Sequence, residues 1–596
     1  MKKKITLVCA CLLLAMQVVF SAGSGNQKIY PVDSEVYEAI SHLYIAQGLA
    51  LPSSAGPWSG DELSRMLEKI NPARLEGTYK TIYDFAAGEL GEKAKIVRFG
   101  LDAAVEAYAH TNTVDFVDEE DWVRGFDQRK PLLDLVLETN PQENIYGYSS
   151  LSVGNAPYTG YDDSARQITS IFFGQEKLTT NIFLLPPAAM FDTNNIPHRA
   201  FGSFGGNGWS VEIGRDKVSW GPGKTGNFVV GDHLKYHNQG RFTTYNKNFK
   251  YTFLTSFFPH PGRYYTLDKV SGGTMHVTPK SDQDGDVDGL NMFMAHRLEW
   301  RLFGDKVGFT LTEGMMYQSE KGTLDLRILN PAMLFHNYNI RSFSNSILSF
   351  EVDYTPIKNL NVYGQVVVDE FAINGENIPG KADKAFPNGL GFMVGAQGNI
   401  PLEIGMLYGG IEAVKTDPFL YLRYNTDTSA TGPKTQQGLN FVVATRYYFE
   451  HYVYYSEDFL GYKYGGDAIV LNGNIGLKNF GTWGVEASLF HMIHGTHDKW
   501  TAWSKINNGT ASDDSVSLDS TPTESHPTHN YKDDDANLRN AASYTTIIGL
   551  KGSYKILPNL TAYGQANYIH VKNPGNISTN APVNDFQVTL GVSYSL

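Results

Sequence analysis

Apolar and polar residues alternate along this chain with two different periods, and the change between them divides it. At the C-terminus Val588, Leu590, Val592, Tyr594 and Leu596 interleave with Gln587, Thr589, Gly591, Ser593 and Ser595. The same period of two runs through Leu360, Val362, Gly364, Val366 and Val368, and through Ile548, Leu550, Gly552, Tyr554 and Ile556. Residues two apart on a strand share a face, so each run predicts a strand with one apolar face and one polar or small face. From about Asp33 to Leu90 the period is helical instead. Val36, Ile40, Leu43 and Tyr44 predict a helix opened by Asp33 or Ser34, running to about Gln47 and stopped by Gly48. Ser59, followed three residues later by Glu62, has the form of a capping box for a helix carrying Leu63, Met66, Leu67 and Ile70. A third, less regular segment covers Leu75 to Leu90.

The connections between strands alternate in length. Leu557-Pro558-Asn559 joins two strands tightly, whereas Val571 to Asp585 and the polar His494 to Ala542 stretch are long. Lys358-Asn359 and Lys478-Asn479 fall in other short turns. That parity places every short turn at one end of a sheet and every long loop at the other, as in outer-membrane barrels. A soluble sandwich would share the strand alternation but has no reason to keep the parity. The chain after the helical segment has room for on the order of 16 to 20 strands. The expected fold class is therefore all-β, a large antiparallel transmembrane β-barrel of about 18 strands with a small N-terminal α-helical unit. The expected divisions are a signal peptide over 1–23, a periplasmic helical unit over 28–92 and an outer-membrane β-barrel over 95–596. A helical unit this small needs outside support, and it is expected to lean on the barrel or plug it.

The ends of the chain agree with export. Lys2-Lys3-Lys4, the apolar stretch Ile5 to Phe20 and the small residues Ser21 and Gly23 read as a secretory signal. No later run reaches the roughly 18 apolar residues of a spanning helix. Both cysteines, Cys9 and Cys11, lie in the signal, which excludes disulfides, thiolate metal sites and a thiol nucleophile from the mature chain. At the other end Thr589, Gly591, Tyr594 and Leu596 occupy the polar, glycine, aromatic and hydrophobic positions of the terminal signal read by the barrel-assembly machinery. The 35 Tyr, 33 Phe and 59 Gly suit strands with aromatic girdles and tight turns, and a net charge of -13 argues against nucleic acid as a partner.

The residues give little support to catalysis. Asp284, Asp286 and Asp288 with Gly289 and Gly285 match the first half of a calcium loop, but Ala295 stands where a bidentate Glu is required. The cluster reads as a solvated loop, with a weak calcium site as the alternative; no metal and no cofactor are expected. His491, His494 and His497 recur every third residue, a spacing that does not converge on a strand. Carboxylate runs such as Glu119-Glu120-Asp121 and Asp533-Asp534-Asp535 read as solvated loop charge, and no nucleophile or phosphate-loop motif is present, so no enzyme is expected.

A series of short motifs in the middle of the chain resembles the capsule-assembly outer-membrane proteins of the Wzi family. They are Trp220-Gly221-Pro222-Gly223 with Lys224-Thr225-Gly226-Asn227 and Phe228-Val229-Val230; Ala295-His296-Arg297-Leu298-Glu299-Trp300; Leu311-Thr312-Glu313-Gly314; and Leu329-Asn330-Pro331. Asn345, Glu351-Val352-Asp353-Tyr354, Val362-Tyr363-Gly364-Gln365 and Val368-Asp369-Glu370-Phe371 continue the order. The resemblance implies a barrel of about 18 strands carrying a small helical bundle, and a role in binding or organising exported surface polysaccharide. The motif residues themselves read as structural, Trp220 to Gly223 forming a barrel corner or inward fold. Trp500 and Trp503, in the long loop after His497, are candidates for stacking on sugar faces, with girdling the interface as their plain alternative. A passive porin and a surface adhesin or structural antigen remain the competing functions. Expected partners are surface polysaccharide, outer-membrane lipid and the assembly machinery.

Overall fold

The computed structural model describes residues 25–596 apart from segments 93–94, 117–122, 124–127, 154–176, 182–198, 261–288, 320–321, 331–343, 372–387, 423–438, 450–451, 498 and 500–540. Three α-helices come first: α1 (Glu35–Gln47), α2 (Gly60–Glu68) and α3 (Gly77–Leu90). Gly48 ends α1 in the left-handed conformation, φ 81°, where its N–H caps the last turn. Ser59 accepts the Glu62 N–H at 3.3 Å and so caps α2. The reciprocal half of the expected box is missing, because the Glu62 carboxylate turns into the barrel and accepts Lys250 Nζ at 2.5 Å. An ion pair outcompetes a backbone amide for that side chain.

The rest is a closed antiparallel barrel. Its eighteen main strands are β1 (Val97–His110), β2 (Leu133–Gln142), β3 (Ile145–Val153), β4 (Ala200–Gly206), β5 (Trp209–Asp216) and β6 (His237–Tyr245), followed by β7 (Phe249–Phe258), β8 (Leu290–Leu302), β9 (Val307–Ser319), β10 (Ser344–Ile357), β11 (Leu360–Glu370) and β12 (Gly389–Leu402), then β13 (Gly405–Thr416), β14 (Ala468–Asn479), β15 (Trp483–His494), β16 (Ser543–Leu557), β17 (Leu560–Lys572) and β18 (Val583–Ser595). The barrel closes where β18 pairs with β1, from Gln587 opposite His110 to Ser595 opposite Asp102. A three-residue strand, Leu178–Thr180, pairs with the other edge of β1 at Ala107 to Ala109, past the residues that β2 covers. A separate hairpin, Val442–Phe449 with Tyr452–Phe459, lies between β13 and β14 in the chain.

The turns after β5's partner β4, and after β2, β6, β8, β10, β12, β14 and β16, are all short and share one end of the barrel, while the connections at the other end are long. The outer face is apolar. Leu590 and Val592 on β18, Ile548 and Leu550 on β16 and Ile411 on β13 are exposed by 45–69 %. Leaving such side chains in water costs about 1.5–3 kcal/mol each, so this belt needs hydrocarbon around it.

One device recurs around the barrel. Tyr363, Tyr408 and Tyr563 each lie opposite an inner-face glycine of the next strand, Gly395, Gly476 and Gly591, where a Cβ would strike the ring. Each hydroxyl then donates to a glutamate one strand further on: Glu412 at 2.7 Å, Glu486 at 2.9 Å and Glu106 at 2.7 Å. Each glutamate is the register partner of that same glycine. Three strands are thus pinned by one side chain, and the third copy spans the closing seam.

Candidate functional site

The lumen of the barrel is occupied by its own chain. Residues 49–60, between α1 and α2, enter from the short-turn end and are gripped by cations of the inner wall. Arg241 donates to the Pro57 carbonyl and to Glu212. Lys250 donates to the Ala55 carbonyl at 2.9 Å as well as to Glu62. Arg297 forks onto Glu351 (2.5 and 2.9 Å), reaches Glu299 at 2.9 Å and donates to Ser54 Oγ at 3.1 Å. Arg241, Lys250 and Arg297 each meet carbonyl, hydroxyl or carboxylate oxygens, which is what charges removed from water require. Burial pushes the Glu62 carboxyl above the ordinary carboxylate range, and the lysine beside it works against that shift.

The connection between β5 and β6 folds inward to meet this loop. Ser219–Trp220 forms a two-residue strand with Ala55–Gly56, and the Trp220 ring is 1 % exposed. Gly221 has φ +134°, and a Cβ there would collide with Gln365 and Asn227, so only glycine fits. Asn227 Oδ1 accepts from Gly223 N (2.9 Å) and Gln365 Nε2 (3.0 Å). The Lys224 and Thr225 amides both donate to Glu412, at 2.8 and 2.9 Å, which is the same carboxylate that receives Tyr363. The motif from Trp220 onward is therefore an inward fold clamped to the inner wall.

Two more inward segments complete the filling. Tyr421 donates to the Phe228 carbonyl at 2.6 Å and accepts from Tyr462 N at 2.9 Å. Asp369, on β11, receives the Tyr421 amide at 2.9 Å and Asn345 Nδ2 at 3.2 Å. Phe228, Val230, Phe419, Leu420, Tyr421 and Tyr462 form one buried apolar core with inner-face residues such as Leu254, Phe293, Ile347 and Val414. On the opposite side, Val123 of the connection between β1 and β2 donates to Gln587, and Lys130 N donates to Glu106. Glu106, Tyr108, Gln587 and Thr589 are buried there. Inner-face residues that stay accessible, Arg98, Asp102, Lys551, Ser553, Thr561, Tyr563 and Gln565, gather in the short-turn half of β1, β16 and β17. They line a polar vestibule.

The remaining motif residues scatter. His296 faces outward, opposite in direction to Arg297, and its Nδ1 lies 2.7 Å from the Tyr251 hydroxyl. Asn330 ends a segment, 322–330, whose Leu324, Ile328 and Leu329 pack on the outward Met292, Met294 and Met315. Gly591 carries the third tyrosine contact, Thr589 faces inward, Tyr594 pairs with Ala103, and the Leu596 N–H donates to the Leu101 carbonyl at 2.9 Å. The three histidines find separate partners: His491 with Thr546, His494 with the Tyr464 and Gly495 carbonyls, His497 with Asp467. Pro331, Trp500, Trp503, Asp284, Asp286, Asp288, Cys9, Cys11 and the whole signal segment lie outside the described residues. Among the described residues no group of three His, Cys, Asp or Glu could hold a metal ion.

Sequence reasoning missed the grip residues Arg241, Lys250 and Glu412 and the plugging segments 417–422 and 459–467. Polar residues at inner-face positions of period-two strands were the available signal.

The fold and its apolar outer belt define the chain as a transmembrane β-barrel of the outer-membrane type. Among solved structures it is similar to Wzi, an outer-membrane protein involved in group 1 capsule assembly in Escherichia coli and a carbohydrate-binding β-barrel, with TM-score 0.54 and 12 % identity over 95 % of this chain and 98 % of that one. At that identity the likeness is one of fold. The channel DcaP of Acinetobacter baumannii (TM-score 0.31, 8 % identity, 84 % and 97 % covered) and Pseudomonas aeruginosa OccK1 (TM-score 0.36, 10 % identity, 84 % and 98 % covered) align more loosely. No protein-family model and no curated protein sequence matches the chain.

Proposed function

We propose that this barrel binds or organises exported surface polysaccharide at the outer membrane, as a non-enzymatic member of the Wzi-like group, with its long connections outside the cell and its helical unit in the periplasm. The observation that carries this reading is the filled lumen. A barrel of this strand number has room for an aqueous channel, and here that space holds an apolar core and a grip of buried ion pairs. Such an interior suits a rigid platform for the long connections better than a solute path. Loop aromatics, Trp500 and Trp503 among them, would stack on sugar faces, and loop amides and carboxylates would bind hydroxyls. The terminal residues Thr589, Gly591, Tyr594 and Leu596 would be read by the assembly machinery.

The test is retention of the producing cell's own surface polysaccharide on the immobilised barrel. Saturable retention, weakened when Trp500 and Trp503 are both replaced by Ala, is the expected result. No retention of any surface polymer overturns the reading. The polar vestibule favours one competing function, a passive pore for small hydrophilic solutes. That reading predicts a steady ion current and no polymer retention.

A further inference from the structure

We propose that the cavity between the helical unit and the short turns of the barrel binds an anionic sugar, a pyranose bearing a carboxylate or a phosphate, with Arg301 as the ligand of its charge. The inference rests on the membrane orientation proposed above for its compartment, the periplasm, and not on polymer retention by the long connections.

The cavity holds about 490 Å³ and is lined by Tyr44, Glu68, Lys69, Asn246, Lys247 and Arg301 among others. Its walls come from α1 and α2, the turn between β6 and β7 and the end of β8. Docking of the helices on the strand ends creates it. Lys69 Nζ meets Asp305 Oδ1 at 3.0 Å, the Ala50 N–H donates to the Asp305 carbonyl at 2.7 Å, and the Tyr245 hydroxyl donates to Asp61 at 2.8 Å. The volume falls within the range of about 300–1,000 Å³ usual for small-molecule sites and exceeds what a lone inorganic anion fills.

Arg301 carries the assignment. Its side chain is 12 % exposed, yet among the described residues its one hydrogen bond runs from Nη1 to the carbonyl of neighbouring Trp300 at 3.3 Å, and its one ion pair from Nη2 to Glu299 at 3.8 Å. The acids around it are engaged elsewhere. Glu299 Oε1 accepts from Arg297 at 2.9 Å and from Ser53 at 3.0 Å, and Asp353 Oδ2 accepts the Leu51 amide at 2.6 Å. A guanidinium this far out of water with most of its N–H donors unmet is completed by a forked acceptor, and carboxylate and phosphate have that geometry.

Lys247, exposed at the tip of the β6–β7 turn, adds a second cation and has no ion pair among the described residues. Burial pushes the Lys69 ammonium below its ordinary range; Asp305 works against that shift, while Arg301 and Lys247 add to it, so three cations face one space. Hydroxyl partners stand beside the charge. Asn246 Oδ1 accepts the Asn248 and Phe249 amides at 2.9 and 3.0 Å, which leaves its Nδ2 to donate elsewhere. The Glu68 carboxylate and the Asn248 side-chain amide make no hydrogen bond among the described residues. Amide donors and a carboxylate acceptor next to a guanidinium suit the hydroxyls and the charge of a single ligand.

The test is calorimetric titration of the barrel, purified in a neutral maltoside detergent, with glucuronate, glucose 1-phosphate and glucose. Saturable binding of one or both acids, about tenfold or more tighter than glucose, is the expected result, and the tighter acid identifies the charged group. Arg301→Gln is expected to weaken that acid by about tenfold, and Arg301→Lys to recover part of the loss, since it restores charge without the fork. Lys247→Gln, which has no partner to lose, is expected to weaken it severalfold. Folding of each variant is checked by its heat-modifiable migration on gels. The bound acid is also expected to slow proteolysis of α1 to α3, because the cavity has one wall on the helices and another on the barrel. Equal binding by wild type and Arg301→Gln overturns the inference; if that variant does not fold, unchanged binding by Lys247→Gln overturns it instead. Glucose binding as tightly as the acids, or no saturable binding of either acid, overturns it too. An effect reproduced in full by acetate or inorganic phosphate does the same and makes this a simple anion site. Polysaccharide retention by the long connections is expected to be unchanged in all three variants, so its failure would strike the proposed function and not this cavity.

Discussion

Arg297 is 1 % exposed and pairs with both Glu299 and Glu351 while touching Ser54 of the inserted loop. Removing one member of such a buried group leaves the others charged and unmatched, at a cost of about 3–5 kcal/mol. Arg297→Met is therefore expected to lower the urea midpoint of barrel unfolding sharply, and adding Glu351→Leu and Glu299→Leu to recover most of the loss. A midpoint unchanged by the single substitution would contradict the grip described here. Asp369 holds the inward segment at Tyr421 through that residue's amide. Asp369→Ala strips a buried acceptor, worth about 1–3 kcal/mol, and the expected sign is faster proteolysis near Phe419 to Leu422 with the strands still protected. At this scale the sequence was partly legible. The motifs from Trp220 and around Arg297 stood out, and period-two alternation already separates Arg297 from His296. What each residue grips was not legible, because Ser54, Glu351 and Arg297 meet only through strands far apart in the chain.

Among the elements, strands were the most readable, since a lipid-facing surface imposes alternation residue by residue. The tyrosine contacts were not, because a ring over a glycine depends on register, which no local pattern fixes. Val105-Glu106-Ala107 and Val485-Glu486-Ala487 repeat in sequence, and only pairing reveals that both glutamates receive a tyrosine two strands away. Gly591→Val would displace the Tyr563 ring at the closing seam. The expected result is loss of the compact, heat-resistant form on gels, while Gly88→Val on α3, where added atoms meet nothing within 4 Å, leaves it intact. The helices were legible by period and by the caps Gly48 and Ser59, although Ser34 makes no side-chain cap bond, and the contacts that dock them were not legible. His42 on α1 is buried against β12, where Asn399 Nδ2 donates to its Nδ1 at 3.1 Å, and burial pushes its pKa down to about 3. Lys224 and Lys478 add to the shift. The released histidine, near 6.5, binds a proton that the docked one refuses, so docking is fully stable above about pH 6.5 and weakens progressively as pH falls toward 3. Proteolysis of α1 to α3 is expected to rise on acidification, and His42→Gln to flatten that dependence. A His42→Gln profile that superimposes on the wild type would contradict it.

For the whole molecule, barrel size and the one-sided placement of long connections could be read from turn spacing. The plug was legible only in part: an inward fold at Trp220 to Gly223 was one of two expectations, but Phe228-Val229-Val230 has the same apolar character whether it forms a strand or folds into the lumen. The plug is also what supports the proposed role as a closed platform for surface polymer. One preparation of purified barrel, tested in parallel for single-channel current in a planar bilayer and for retention of the cell's own surface polysaccharide, addresses that role most directly. Saturable retention without a steady open-channel current is the expected result. Steady current through the wild-type barrel, with no polymer retained, would contradict it and make the protein a porin.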